Sequence, residues 1–312
     1  MSGSDINSGV AADTYAKQRP WLLLPSWVIL TIFIVMPLTI MAVYSFLTKE
    51  FRGGVVWQFS WAAYDQFFFD RGLFGDEPAS IEWTYLNIYW RSVWQAGTAT
   101  VLSLVLGFPT AYFIATRSAK SRAMWVFLIT IPYWVNLLIR TVSMKFLLRE
   151  NGPLNDFLMM LQVIDQPLHI INTALAVQLG LFYSYLPFMV LPIYASIERY
   201  NFTLSEAAAD LYASKLATLW RIVLPAVKPG VIAGCILVFV PSLGAFLAPD
   251  LLGGAKNFMI GSLIEEQFKG SAGNWPFGAA ASIVLLTMVL LVLMAFSWRR
   301  AKAPIQVGSQ HE

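Results

Sequence analysis

The chain has one cysteine, Cys235, among 312 residues, so no intramolecular disulfide can form and no cysteine-based metal or redox motif can be built. Histidine is almost as scarce. His169 and His311 lack ligand spacing, and neither H-E-x-x-H nor G-x-S-x-G occurs, which removes the enzyme classes that those patterns mark. No G-x-x-x-x-G-K-[ST] phosphate loop is present, so the chain has no means of its own to hydrolyse ATP. Charged residues make up 12% of the sequence, against roughly 25% in soluble domains. The net charge is only +3 and the basic residues are spread along the chain, a pattern that argues against a nucleic-acid partner.

What fills the chain instead is apolar: 57% hydrophobic residues, 15% aromatic. A bilayer core about 30 Å thick takes roughly 20 such residues in a helix, at about 1.5 Å per residue. Six segments meet that length: Trp21 to Leu47, Ile88 to Thr116, Ala123 to Leu147, Thr173 to Ile197, Gly230 to Ala248 and Phe277 to Trp298. The first is too long for the apolar region of a cleaved secretory signal and no small-x-small site follows it, so it reads as a retained span. Lipid offers backbone amides no water, and the segments lack the alternation of a barrel strand, so helices are expected. Pro37, Pro109, Pro132, Pro187, Pro192 and Pro241 lie well inside the spans and predict kinks.

Lys and Arg in short loops stay on the cytoplasmic side. With the N-terminus inside, that side holds Lys17, Arg19, Arg117, Lys120, Arg122, Arg199, Lys215, Arg221, Lys228, Arg299, Arg300 and Lys302, whereas the outer loops hold Lys49, Arg52, Arg71, Arg149, Lys256 and Lys269. Both termini are therefore expected in the cytoplasm. The organisation that follows is a tail over 1–20, a first transmembrane helix over 21–47, an external loop over 48–86, a five-helix core over 87–298 with a cytoplasmic loop at 198–229, and a tail over 299–312. The external loop mixes Asp65, Asp70, Asp76, Glu77 and Glu82 with many aromatics, which suits a surface that meets an external partner and equally a solvated loop packed on the bundle.

The loop at 198–229 is the most informative stretch. Thr203-x-x-Glu206 has the form of a capping box, in which the threonine accepts from a first-turn amide and the glutamate reaches back. The alanines Ala207, Ala208 and Ala209 favour helix and make it slender enough to lie in a groove on another protein. A second short helix is expected from Leu216 to Val223, stopping at Pro225. In the fifth span, Gly230-x-x-x-Gly234 is spaced for close helix packing.

The string EAAADLYASKLATLWRIVLP resembles the cytoplasmic EAA loop of binding-protein-dependent ABC importer permeases, with Glu206-Ala207-Ala208 and Ile222-x-Leu224-Pro225 in register. The stretches NGPLNDFL, VIDQPL, YLPFMVLPIYASIE, GVIAGCILVFVPSLGAFLAPDLLGGAKNFMIGSLI and NWPFGAA are similar to spermidine/putrescine permeases of the PotB and PotH type, from about Asn87 to the end of the sixth span. The resemblance implies an all-α integral membrane protein of six spans, with the EAA loop between spans 4 and 5 serving as a coupling helix for the ATPase. Glu206, Ala207, Ala208, Asp210, Leu211, Tyr212, Ile222, Leu224 and Pro225 are then the coupling residues. At the position of Tyr212 the EAA pattern has glycine. A tyrosine at positive φ is costly, so either the turn differs or a partner accommodates the ring.

The same resemblance implies polyamine as substrate, with related small amines, amino-acid derivatives or opines as alternatives. A polyamine pathway needs carboxylates for ammonium groups and aromatic faces for cation–π contact. Asp250, Tyr133, Trp134, Asn136, Tyr183 and Tyr185 are the candidates, although each aromatic also fits helix packing or an interfacial belt. Arg91, Arg140 and Lys145 lie near the outer ends of spans and read either as side chains that snorkel or pair with acidic loop residues, or as a structural part of an outer gate. The partners implied are a second permease subunit of the PotC or PotI type, two copies of an ABC ATPase of the PotA or PotG type that binds ATP and Mg²⁺, a periplasmic binding protein of the PotD or PotF type, and membrane lipid. No metal or cofactor is expected on this subunit. A homodimer stays open, as does a secondary transporter or channel, which would need proton-relay or ion-coordinating residues within the spans; no carboxylate lies deep in any of them.

Overall fold

The computed structural model describes residues 5–50, 54–70, 80, 81, 83–269 and 273–301. Asp76, Glu77 and Glu82 of the external loop and residues 302–312 of the tail lie outside them. The chain divides into two compact units, residues 1–67 with 268–312, and residues 68–267.

The first unit opens with α1, Asp5–Tyr44. Every residue from Leu24 to Ile40 is exposed, an arrangement that water would penalise heavily and that lipid covers at no cost. A hairpin follows, β1 (Leu47–Lys49) and β2 (Val55–Phe59), antiparallel with an irregular register at Leu47/Thr48; Val55, Val56, Trp57 and Phe59 are strand formers. Phe46, Phe59, Trp61 and Tyr64 form one aromatic cluster, with Phe46 and Trp61 edge to face at 5.0 Å. The Tyr64 hydroxyl donates to Ser45 Oγ at 3.0 Å, so the cluster pins α2 (Ala62–Phe68) beneath the hairpin. Two strand pairs thus qualify the all-α expectation: this hairpin, and the short pair β3 (Phe69–Asp70) and β4 (Ser80–Ile81).

In the second unit three long helices pack closely: α3 (Trp83–Ala115), α7 (Ala174–Glu198) and α10 (Leu224–Leu243). Lipid gives apolar side chains no reason to associate, so close approach of backbones has to supply the attraction. On α3 a buried stripe of small residues, Ser92, Ala96, Ala99, Ser103, Gly107 and Ala111, recurs at helical spacing. Met189 of α7, fully buried, sits between two glycines: a Cβ built on Gly107 would lie 2.9 Å from its Cγ, and one on Gly234 would lie 2.8 Å from its Sδ. A Cβ on Gly230 would fall 2.4 Å from Ser196 Cβ and 2.6 Å from the Pro192 carbonyl oxygen. The expectation of close packing at Gly230-x-x-x-Gly234 is met, and α7 is the surface approached. Thr173 caps α7, its Oγ1 accepting from Ala176 N at 3.3 Å, and the helix runs on through Pro187 and Pro192.

Two expectations need correction. The third span is not one kinked helix from Ala123 to Leu147. It is α4 (Ala119–Trp134) and α5 (Leu137–Leu148), the latter continuing into α6 (Pro153–Met160), with a bend of 93° at the break. Asn136 causes it: its Oδ1 accepts from Leu138 N at 2.8 Å and starts a new helix. Among the described residues five helices are long and apolar enough to cross a membrane, and this bent pair makes a sixth when its two parts are taken as one span.

Nor does the second short helix of the 198–229 loop stop at Pro225. After α8 (Thr203–Asp210), α9 (Lys215–Thr218) passes through a π turn, Leu219–Val223, directly into α10. In that wider turn Leu224 N reaches back five residues to Leu219 O, and Pro225 falls in the first turn of α10, where a missing N–H costs little. Beyond α10 the chain returns through a π turn (Pro249–Gly253), a 3₁₀ turn (Ala255–Asn257) and α11 (Ile260–Phe268). The last helix, α12 (Trp275–Ala301), belongs with α1 in the first unit.

Gly234→Val places branched carbons onto Met189. We expect a loss of about 1–3 kcal/mol, typical of overpacking, read as a lower thermal midpoint of the purified protein in detergent. Met189→Ala in the same chain should recover part of it, whereas a destabilisation unchanged by the second substitution would locate the conflict elsewhere.

Candidate functional site

The EAA loop is built outward from the core. Tyr200 at the end of α7 is buried, its hydroxyl 2.8 Å from Ser205 Oγ, and its ring meets Phe202 edge to face at 5.2 Å. Phe202, Leu219 and Ile222 pack on the cluster that contains Ile197, Val223 and Val227. The capping box does not form. Phe202 takes the cap position without a side-chain bond, and Asn201 Oδ1 accepts from Thr203 N at 3.1 Å and from Thr203 Oγ1 at 2.8 Å. The asparagine, two residues upstream, satisfies the first amide before the threonine can act as a cap, so Thr203 is drawn into the helix.

From that base the loop divides. Ala208 is buried, and Ile222 and Leu224 are half-buried, whereas Glu206, Ala207, Asp210, Leu211, Tyr212 and Pro225 are exposed. Glu206 occupies the first turn of α8, where a carboxylate complements the positive end of the helix dipole. Ser214 Oγ accepts from Ala217 N and caps α9. A cavity of about 710 Å³ opens between α3 and the loop, lined by Phe108, Tyr112, Ser205, Ala209, Leu216 and Leu219 among others.

The pathway candidates separate into two groups. Tyr133 meets Phe188 edge to face at 4.7 Å, and Phe188 stacks with Tyr185 at 6.4 Å; the Tyr185 hydroxyl donates to Pro241 O at 3.4 Å. Tyr133 and Tyr185 are therefore brought together, through a phenylalanine that sequence reasoning did not single out. Trp134 stands apart, 80% exposed and paired with Phe127, as does Tyr183, which is exposed. Asn136 caps α5. Asp250 is exposed in the π turn Pro249–Gly253, its backbone N–H donating to Phe246 O, outside the aromatic cluster.

Arg140 does not snorkel. It is 5% exposed, and no carboxylate pairs with it among the described residues. Side chains on a helix lean toward its N-terminus, which from the first turn of α5 aims this guanidinium at the end of α4. There it donates to Val135 O at 2.9 Å, Tyr133 O at 3.3 Å and Ser184 O at 3.4 Å, and lies 4.8 Å from the Tyr133 ring centroid. The negative end of α4 and an aromatic face supply the compensation that a buried cation requires. Arg140 thus clasps the broken span and ties it to α7, and it occupies the Tyr133 face that a cationic solute would use. Asn155 does comparable work in the segment that follows α5: fully buried, it donates to Arg149 O, Glu150 O and Leu168 O and accepts from Leu168 N.

Arg140→Leu should release the break. With each charge-assisted bond contributing about 1.5–3 kcal/mol, amide exchange over residues 133–148 should speed by about 100-fold (about 1.4 kcal/mol per tenfold). Arg140→Lys, which keeps the charge and loses the fork, should fall between. Native-like exchange in Arg140→Leu would show that the bend holds without the clasp.

Residues 103–301 match the family described as binding-protein-dependent transport system inner membrane component. Over 218 residues the chain is 47% identical to the spermidine/putrescine transport system permease protein PotB of Escherichia coli K12, covering 70% of this chain and 78% of that one. It is 42% identical over 217 residues to PotB of Haemophilus influenzae, covering 70% and 75%. Among solved structures, a subunit of a bacterial ABC transporter involved in the import of alginate matches with TM-score 0.62 at 17% identity, covering 94% of this chain and 99% of that one. A chain of the MetNI methionine ABC transporter matches with TM-score 0.51 at 16% identity, covering 68% and 93%; these two likenesses speak to fold alone. Bundle, EAA loop and relatives agree that this chain belongs to the binding-protein-dependent transport system inner membrane components: it is a multi-pass inner-membrane permease subunit of an ABC importer, a transport component whose ATPase is a separate subunit.

Proposed function

We propose that the chain imports polyamine, spermidine or putrescine, across the inner membrane as one half of a translocation pathway. The observation that carries the substrate is the 47% identity with PotB over 218 residues. Phe188 and Tyr185, stacked on α7, support it, because aromatic faces suit alkylammonium groups; Tyr133 borders them with its own face held by Arg140. Asp250, the exposed carboxylate at one end of the pathway helices, attracts the amine from solution. In this reading the six spans comprise five continuous helices and the bent pair α4–α5, and both termini are cytoplasmic, as the distribution of Lys and Arg supports.

The mechanical part is the loop. Glu206, Ala207, Asp210, Leu211 and Tyr212 form its exposed face and sit in a cleft of an ABC ATPase, which holds ATP and Mg²⁺. Because α9 runs without interruption through the π turn into α10, a displacement of the loop by the closing ATPase pair travels straight into a helix that packs on α7. A second permease, distinct from this one, completes the pathway, and a periplasmic binding protein delivers the amine.

The test is amine-stimulated ATP hydrolysis by the purified complex in lipid, with binding protein and either spermidine or putrescine supplied. Glu206→Lys reverses the charge at the docking face and should cut the stimulated rate by at least about tenfold, the scale of a lost interfacial charge contact, with the permease still folded. Stimulation unchanged by the substitution would remove Glu206 from coupling. A response to opines or amino-acid derivatives and to neither amine would replace the substrate and leave the transporter class intact.

A further inference from the structure

The tip of the EAA loop holds a side chain that its own protomer does not accommodate. After α8 ends at Asp210 the backbone of Tyr212 turns to φ +59°, a region glycine enters freely and other residues enter against the crowding of Cβ and the next carbonyl. The backbone has a reason to adopt it. Tyr212 N donates to Ala209 O at 2.9 Å and Ala213 N donates to Ala208 O at 3.0 Å, closing carbonyls that the end of α8 would leave open. The side chain has no such reason. The Tyr212 ring is 99% exposed and the neighbouring Leu211 is 82% exposed, so no packing within the protomer offsets the strained backbone. Among the described residues the other non-glycine positions with positive φ are Gln162 and Asn172, whose polar side chains water or a local hydrogen bond satisfies. Tyr212 differs from both in presenting a large aromatic ring to solvent from a conformation that a ringless residue would adopt more readily.

We propose that Tyr212 is an aromatic anchor for the ATPase subunit: the left-handed backbone holds the ring outward so that it enters an apolar pocket on the ATPase, with Leu211 covering the rim. The proposal rests on the reading of residues 198–229 as the ATPase-docking loop. Two features select the ATPase over the headgroup layer of the bilayer. The ring is continuous with the exposed face of Glu206, Ala207 and Asp210 on α8, whose two charges are both acidic and repelled by an anionic inner leaflet, whereas the exposed basic residues Lys215, Arg221 and Lys228 follow on α9, the π turn and α10. A tyrosine seated in a dry pocket is the kind of residue that dominates an interface, because it brings a large rigid surface at small entropic cost.

The assay is titration of the ATPase onto the permease pair in nanodiscs, with native protein, Tyr212→Gly, Tyr212→Phe and Glu206→Lys compared. Tyr212→Gly removes strain and ring together, so the permease without ATPase should be as stable as native or more so, while its affinity for the ATPase falls by about tenfold. Tyr212→Phe, which keeps the ring, should bind within about threefold of native. These opposite signs, stability kept and docking lost, are what a merely tolerated tyrosine would not produce. If Glu206→Lys releases the ATPase and Tyr212→Gly binds it as native does, the anchor falls and the docking loop stands. If both bind as native does, the docking reading falls too. A Tyr212→Gly permease that is less stable in the nanodisc yet binds ATPase normally would place the ring in the lipid headgroups and overturn the proposal.

Discussion

The packing of the second unit turns on the fit of Met189 between Gly107 and Gly234. In a bilayer, apolar contact with a neighbouring helix replaces apolar contact with lipid at little gain, so association depends on backbones coming close enough for dense van der Waals packing. One unbranched, deformable side chain on α7 fills the space left by two absent ones, on α3 and on α10. Methionine suits that role because its thioether adapts to an irregular gap. With Gly230 drawn against Ser196 and Pro192 in the same way, α7 becomes the element on which both neighbours register, and the loop between α7 and α10 inherits its position from them.

Around that rigid triplet lie the departures from regular helix, each with a local cause. The break between α4 and α5 is initiated by the Asn136 cap and held by Arg140, whose charge is satisfied by carbonyls and a ring rather than by a carboxylate. The π turn ahead of Pro225 lets a helix pass a residue that has no amide hydrogen to give. One lies beside the aromatic cluster, the other between the loop and α10. A regular helix resists bending along its whole length, whereas a break or a widened turn confines the change to a few residues.

The loop itself is rigid at its base and unsatisfied at its tip. Tyr200, Phe202 and Ile222 bind the base into the core, so motion imposed at the tip is not absorbed there. The tip offers alanine, carboxylates, leucine and tyrosine to water.

Much of this was legible in the residues. Length and hydropathy pointed to the long apolar helices α1, α3, α7, α10 and α12, because a bilayer demands an unbroken apolar stretch, although α10 begins at Leu224 and ends at Leu243 rather than running from Gly230 to Ala248. The EAA register identified the loop, and Gly230-x-x-x-Gly234 the close contact. The third span was misread as continuous because hydropathy is blind to direction: Trp134 and Val135 keep the segment apolar on average while Asn136 turns it. Pro225 was misread as a stop because a proline's effect depends on the turn before it, and a π turn has no local signature. Thr203 lost the cap to Asn201, as two polar residues competed for one amide. The partners of Arg140, the role of Phe188 and the network around Asn155 involve residues from 3 to 55 positions apart, and no sequence pattern encodes which of them meet. The sequence by itself determined that the chain is a helical membrane permease, since composition, span length and motif are local properties. Only the tertiary structure decided where a helix breaks, what holds a buried cation and which side chains face outward, since those outcomes depend on carbonyls, rings and gaps supplied by distant parts of the chain.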